Sequence, residues 1–179
     1  TVLIFTSDHG ELMGDHGILL KGPLHYQGVI RVPLIWSDPK KSQAVRSDDL
    51  VSSIDIPATI LDRAGVTSFY GMQGKSLLES ANTGDNSREA VLIEDDRERV
   101  YLNFDRPQRL RTIVTKQHRM TLFRPMDWGE LYDLKSDPDE NHNLWNQPVA
   151  KEIQAELTRK LLELMIDFQD WTPAMTGRA

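Results

Sequence analysis

Cysteine is absent from the 179 residues. With it go disulfides, thiolate-held zinc and a cysteine nucleophile within this stretch. Long apolar runs are missing too: none approaches the roughly 18 residues of a membrane span, and no charged-then-apolar segment opens the chain. There is no basic excess either. Lys and Arg number 21 against 27 Asp and Glu, a net charge of −6, so no positive field exists to bind nucleic acid by counterion release. An anionic substrate must then be held by a local cation, either a side chain or a metal. What is present, 39% hydrophobic residues among mixed charges, describes an ordinary globular chain. Its length allows one domain or slightly more, burying roughly two-thirds of the surface an unfolded chain exposes.

The most informative run is TVLIFTSDHGELMGDHGILLK, Thr1 to Lys21. Its apolar, β-branched start (Val2, Leu3, Ile4, Phe5) is too short for a helix and predicts a strand. That strand delivers Asp8 and His9 side by side at its C-terminal end, where open α/β sheets bind ligands. Asp with His is a divalent-metal pair, and Lys21 is a point charge for an anion. Gly10, Gly14 and Gly17 mark a loop that brings the lysine back. The segment predicts a metal-assisted site for an oxyanion ester. Thr1 opens without methionine inside what reads as a core strand, which points to a piece of a longer chain.

Further on, Tyr26–Ile30 predicts a short helix and Val32–Trp36 a second strand with Pro33 near its start. A polar loop runs from Ser37 to Ser47. Leu50–Ile54 reads as a short extended piece. A helix follows, capped by Asp55 and closed at Gly65, with Ile56, Ile60, Leu61 and Ala64 facing inward. These elements alternate as in an α/β fold. The turn-rich stretch Asn82–Arg88 predicts a boundary. Beyond it Ala90–Ile93, Leu110–Val114, Met120–Phe123 and Glu130–Leu134 read as an antiparallel meander. Ile153, Leu157, Leu161, Leu164, Met165 and Phe168 then form one face of a final helix over 149–168.

Several of these segments together resemble the C-terminal half of a sulfatase of the alkaline-phosphatase-like superfamily. The residues concerned are Asp8-His9-Gly10, Lys21 thirteen positions after Asp8, Arg31-Val32-Pro33-Leu34-Ile35, the helix from Ser53 to Leu61 closed by Ala64-Gly65, Gly74-Lys75-Ser76-Leu77-Leu78, and Glu130-Leu131-Tyr132-Asp133-Leu134 followed by Asp137-Pro138 and Glu140-x-x-Asn143-Leu144. The resemblance implies the last part of an α/β sulfatase core over residues 1–81. A small α+β subdomain, antiparallel sheet plus C-terminal helix, would follow over 82–179.

By the same resemblance Asp8 and His9 are ligands of a divalent metal ion, calcium first, with manganese or magnesium as alternatives. Lys21 would contact the sulfate and stabilise charge on the leaving oxygen. Family members often carry Asp-Asn at positions 8 and 9, and a histidine leaves room for a softer metal and for phosphonate or phosphodiester hydrolases. The family's opening strand with two further aspartates, and the C/S-x-P-x-R motif whose Cys or Ser becomes formylglycine, are not in these residues. The expectation is an inactive piece that needs the missing N-terminal half of the enzyme and acts there on a sulfate-ester small molecule or carbohydrate. Nucleic acid and membrane are not expected partners. Alone, the piece is expected to associate through apolar surface the missing strands would cover, with a homo-oligomer as one form. A non-catalytic interaction module is the alternative from another class.

Other residues are read more plainly. His16 and His25 are either pocket-lining or loop imidazoles bonded to backbone, the second being preferred. Arg31 is either an anion contact or one half of an ion pair. Glu11 and Asp15 read as solvated or capping loop acids. His118, Arg119 and Arg124 read as edge-strand charges serving solubility rather than sugar recognition. Asp133, Asp137 and Glu140 read as turn and capping chemistry. Trp128, Trp145 and Trp171 read as packing.

Overall fold

The computed structural model describes residues 1–40, 44–78, 88–100 and 104–169. The chain opens with β1 (Leu3–Thr6), which pairs antiparallel with β2 (Leu34–Ser37), Phe5 opposite Ile35 and Thr6 opposite Leu34. Between them lie a glycine-punctuated loop and the four-residue helix α1 (Gln27–Ile30). A parallel pair needs a crossover of a dozen residues or more, usually helical; here the connection doubles back instead. Leu3, Phe5 and Ile35 keep more than half of their surface exposed.

Helix α2 (Asp55–Ala64) follows. Leu50–Ile54 is not extended to its end: the Ser52 and Ser53 carbonyls accept from the amides of Asp55 and Ile56, at 2.9 and 3.2 Å, winding the chain into the helix. The inward face also differs from expectation. Asp55, Ala58 and Thr59 are buried, whereas Ile60 is 46% exposed and Ala64 lies outside. Polar anchors turn the helix. Thr59 Oγ1 donates to the Asp55 carbonyl (2.6 Å) and accepts the Leu77 amide (3.0 Å). Asp55 does not cap its own helix; its oxygens accept the amides of Ser52 (2.8 Å) and Lys75 (2.9 Å) and a bidentate Arg88. The expected boundary at Asn82–Arg88 falls, Arg88 aside, outside the described residues, as does Trp171.

A four-stranded antiparallel sheet follows in the order β3 (Ala90–Asp96), β4 (Arg109–Thr115), β5 (His118–Arg124), β6 (Trp128–Asp133). Alternation gives it two different faces. One carries Ile113, Met120 and Leu131 against Leu157 and Leu161 of α3 (Lys151–Asp167), with Ile153, Leu164, Met165 and Trp145 around them. Each fully buried leucine here contributes about 1.5–3 kcal/mol. The other face is polar at its centre: Thr112, Thr121, Arg119 and Glu130 are all fully buried under the segment Leu24–Gln27. Arg119 is therefore no edge charge. It lies on an interior strand, donates to Glu130 and Glu140, and its guanidinium sits 5.1 and 4.8 Å from the ring centres of Tyr26 and Tyr132. Glu140 likewise does more than cap a turn, since it is 2% exposed. Among the described residues no helix is long and apolar enough to cross a membrane.

Candidate functional site

Past Thr6 the chain leaves β1 and turns on its own side chains. Ser7 Oγ donates to the His9 carbonyl (2.8 Å), and the His9 amide donates to Asp8 Oδ1 (3.0 Å). Gly10 then presses onto α1: its amide donates to the Val29 carbonyl (2.8 Å), and a Cβ there would stand 2.0 Å from the Gly28 oxygen. The loop beyond closes through Met13 N to Leu19 O (3.2 Å) and Gly14 N to Ile18 O (3.0 Å), with Gly14 and Gly17 at φ of 113° and 73°. Only glycine adopts such angles cheaply. This closure returns Lys21 to the strand end.

There the side chains converge. Lys21 Nζ lies 2.6 Å from His9 Nε2, and that nitrogen lies 3.4 Å from Asp8 Oδ2. His9 Nδ1 faces the Gly10 carbonyl at 2.8 Å. A carbonyl only accepts, so Nδ1 carries the proton and Nε2 presents its lone pair to the ammonium. Glu11 accepts the Lys21 amide (2.9 Å) and faces its ammonium (3.6 Å). The backbone amide of His9 holds the Asp8 carboxyl below the usual range. Two carboxylates and one ammonium leave the cluster net negative, which favours a cation. Asp8 and His9 are two side chains that could hold a metal, and no group of three or more His, Cys, Asp or Glu able to hold a metal occurs among the described residues.

The other residues singled out from sequence lie apart from this cluster. His16 stacks on Tyr26, ring centres 3.7 Å apart and planes 11° from parallel. His25 is buried, with Nδ1 2.8 Å from Thr112 Oγ1 and Nε2 3.4 Å from Asp95 Oδ2. Arg31 is exposed at the end of α1. Glu11, read from the sequence as a solvated or capping loop acid, joins the cluster because the loop closing at Gly14 and Gly17 brings Lys21 opposite position 11.

The family model "N-sulphoglucosamine sulphohydrolase, C-terminal" matches residues 14–167. The chain belongs to this sulfatase family. An arylsulfatase of Clostridium perfringens is 32% identical over 169 residues, 90% of this chain and 33% of that protein. The solved structure of the phosphonate monoester hydrolase of Agrobacterium radiobacter matches with a TM-score of 0.82 at 28% identity, over all of this chain and 38% of that one. A structure solved with its substrate D-glucosamine-2-N,6-O-disulfate matches at 0.77 and 28%, over 99% and 36%. The chain thus spans about a third of the length of these relatives. The sulfatase fold, an α/β part followed by antiparallel sheet and helix, is common to them and to this chain.

Proposed function

We propose that this chain is the part of a sulfuric ester hydrolase that contributes two metal donors and the cation for the departing oxygen. Asp8 and His9 ligate a divalent ion, calcium before manganese or magnesium, and Lys21 faces the ester. The observation that carries the reading is the meeting of three side chains at one strand end, with Nζ 2.6 Å from Nε2 and Nε2 3.4 Å from the Asp8 carboxylate. The donor set fits the ion: an exposed carboxylate and an imidazole lone pair already turned toward a positive group. When bound, the metal would draw charge from the non-bridging oxygens of the ester.

The chain's own residues have separate tasks. The Gly10 carbonyl fixes the His9 tautomer, so that Nε2 is the donor. Glu11 holds the Lys21 backbone in register with the strand end. The Lys21 ammonium stabilises negative charge on the bridging oxygen as the bond to sulfur breaks and the alcohol departs. The nucleophile, a formylglycine by the family resemblance, and the remaining metal donors come from outside these residues, in the N-terminal part of the same enzyme. The substrate class is a sulfate ester, on a carbohydrate or another small molecule. The relative solved with a glucosamine disulfate supports the carbohydrate.

A second reading, phosphonate monoester hydrolysis, draws support from the similar Agrobacterium hydrolase and from histidine at position 9. Full-length protein assayed on matched aryl sulfate and aryl phosphonate separates the two. Faster sulfate turnover is expected, and Lys21→Ala is expected to lower its kcat by about 10²–10³-fold. Faster phosphonate turnover installs the second reading. No turnover of either leaves the non-catalytic module.

A further inference from the structure

We propose that the buried polar chain on the inner face of the β3–β6 sheet is a positioning device that sets the height and angle of the Lys21 segment and of the strand end bearing His9. The consequence for catalysis rests on the role given to Lys21 above; the attachment does not. The segment after Lys21 is fastened at three points, to the sheet and to residues just beyond its strands. Arg97 Nη2, itself 2.5 Å from Asp95, donates to the Gly22 carbonyl at 3.4 Å. The His25 ring spans Thr112 and Asp95. The Gln27 amide donates to Glu140 Oε2 at 2.6 Å.

These fastenings are joined behind the segment. Thr112 Oγ1 lies 2.8 Å from Thr121 Oγ1. Arg119 Nη1 donates to Thr121 Oγ1 and to Glu130, both at 2.8 Å, and its Nε donates to Glu140. A guanidinium only donates, so in one ordered arrangement Arg119 donates to Thr121, Thr121 to Thr112, Thr112 to His25 Nδ1, and His25 Nε2–H to Asp95. On the far side, α1 carries the constraint to the strand end through Val29 O and the Gly10–Gly28 contact. Both halves of the site are therefore referred to one sheet.

The chemistry of this face argues for position over cohesion. Buried charges and hydroxyls cost desolvation, and apolar residues of the same volume stabilise as well or better. Hydrogen bonds add direction. A segment held by five-donor guanidinium geometry, an imidazole and a backbone amide has one seating, whereas an oily face allows sliding. Misplacement of a reacting group by about 1 Å costs on the order of 10²-fold in rate. His25, Thr112, Arg119 and Glu140 are thus positioning residues: none touches the Asp8–His9–Lys21 cluster directly.

The test uses full-length protein and three variants, Thr112→Val, Thr112→Ser and Lys21→Ala. It reads amide exchange of the peptide covering Lys21–Arg31, melting temperature, kcat and KM. Valine keeps the volume and removes the hydroxyl; serine restores it. The expected result is faster exchange and a roughly 10- to 100-fold fall in kcat for valine, with KM within about twofold. Serine should return exchange and kcat toward wild type even if its melting temperature is the lower of the two. Faster exchange with unaffected turnover in both Thr112→Val and Lys21→Ala supports the attachment and sinks the role assigned to Lys21. Unchanged exchange in the valine variant overturns the proposal whatever turnover does. A serine variant as loose as the valine one overturns it too.

Discussion

At position 10 a single hydrogen in place of a methyl group decides how closely the site strand approaches α1. Any larger residue meets the Gly28 carbonyl oxygen at 2.0 Å, and that atom is backbone. Gly10→Ala is expected to push the strand end off α1, lose the bond to Val29, and lower stability by about 1–3 kcal/mol. Thermal denaturation checks this, and a wild-type melting temperature would refute it. Asp8, His9 and Lys21 could be picked out from the sequence because two are adjacent and the third is bracketed by glycines. Glu11 could not, since an acid in a loop has solvation as its default. Arg119, Glu130 and Glu140 were harder still. Their burial needs β5, β6 and the turn at 140 to meet under Tyr26, and nothing local announces that.

Among the elements, α2 shows how a buried charge can overrule apolar periodicity. Burial alone would raise the Asp55 carboxyl, but Arg88 and then the Lys75 and Ser52 amides outweigh it and hold the group below its ordinary 3.8. The unfolded chain therefore takes up a proton at higher pH than the native one. The stabilisation is complete above about pH 4 and is lost as pH falls through the lower native value. Asp55→Asn should cost on the order of 3 kcal/mol at pH 7, because a buried guanidinium loses its bidentate carboxylate. It should also flatten the loss of stability below pH 4. Urea unfolding of both proteins from pH 3 to 7 measures this, and parallel pH profiles would contradict it. The meander and α3 were legible because period-2 and period-3.6 patterns run unbroken there, with one apolar face each. On α2, Ile56 and Leu61 are half-buried, but Ile60 and Ala64 turn outward because Asp55 and Thr59 make the tertiary hydrogen bonds.

Across the whole molecule, two layers meet on the sheet. Helix α3 closes one side with apolar packing, and the site-bearing segment closes the other with directed hydrogen bonds. The β1–β2 pair leaves Leu3, Phe5 and Ile35 outward. Motif order along the sequence was enough to recognise the family. The polar seam between site and sheet was invisible to it, since it joins residues seventy or more positions apart. The proposed activity requires Asp8 and His9 to grip a divalent ion beside Lys21. Calorimetric titration of metal-free full-length protein with Mn²⁺ or Ca²⁺, alongside Asp8→Ala and His9→Ala, tests it most directly. One ion per chain, held at least 10- to 100-fold more weakly by each variant, is the predicted result; equal affinity in all three proteins would contradict it.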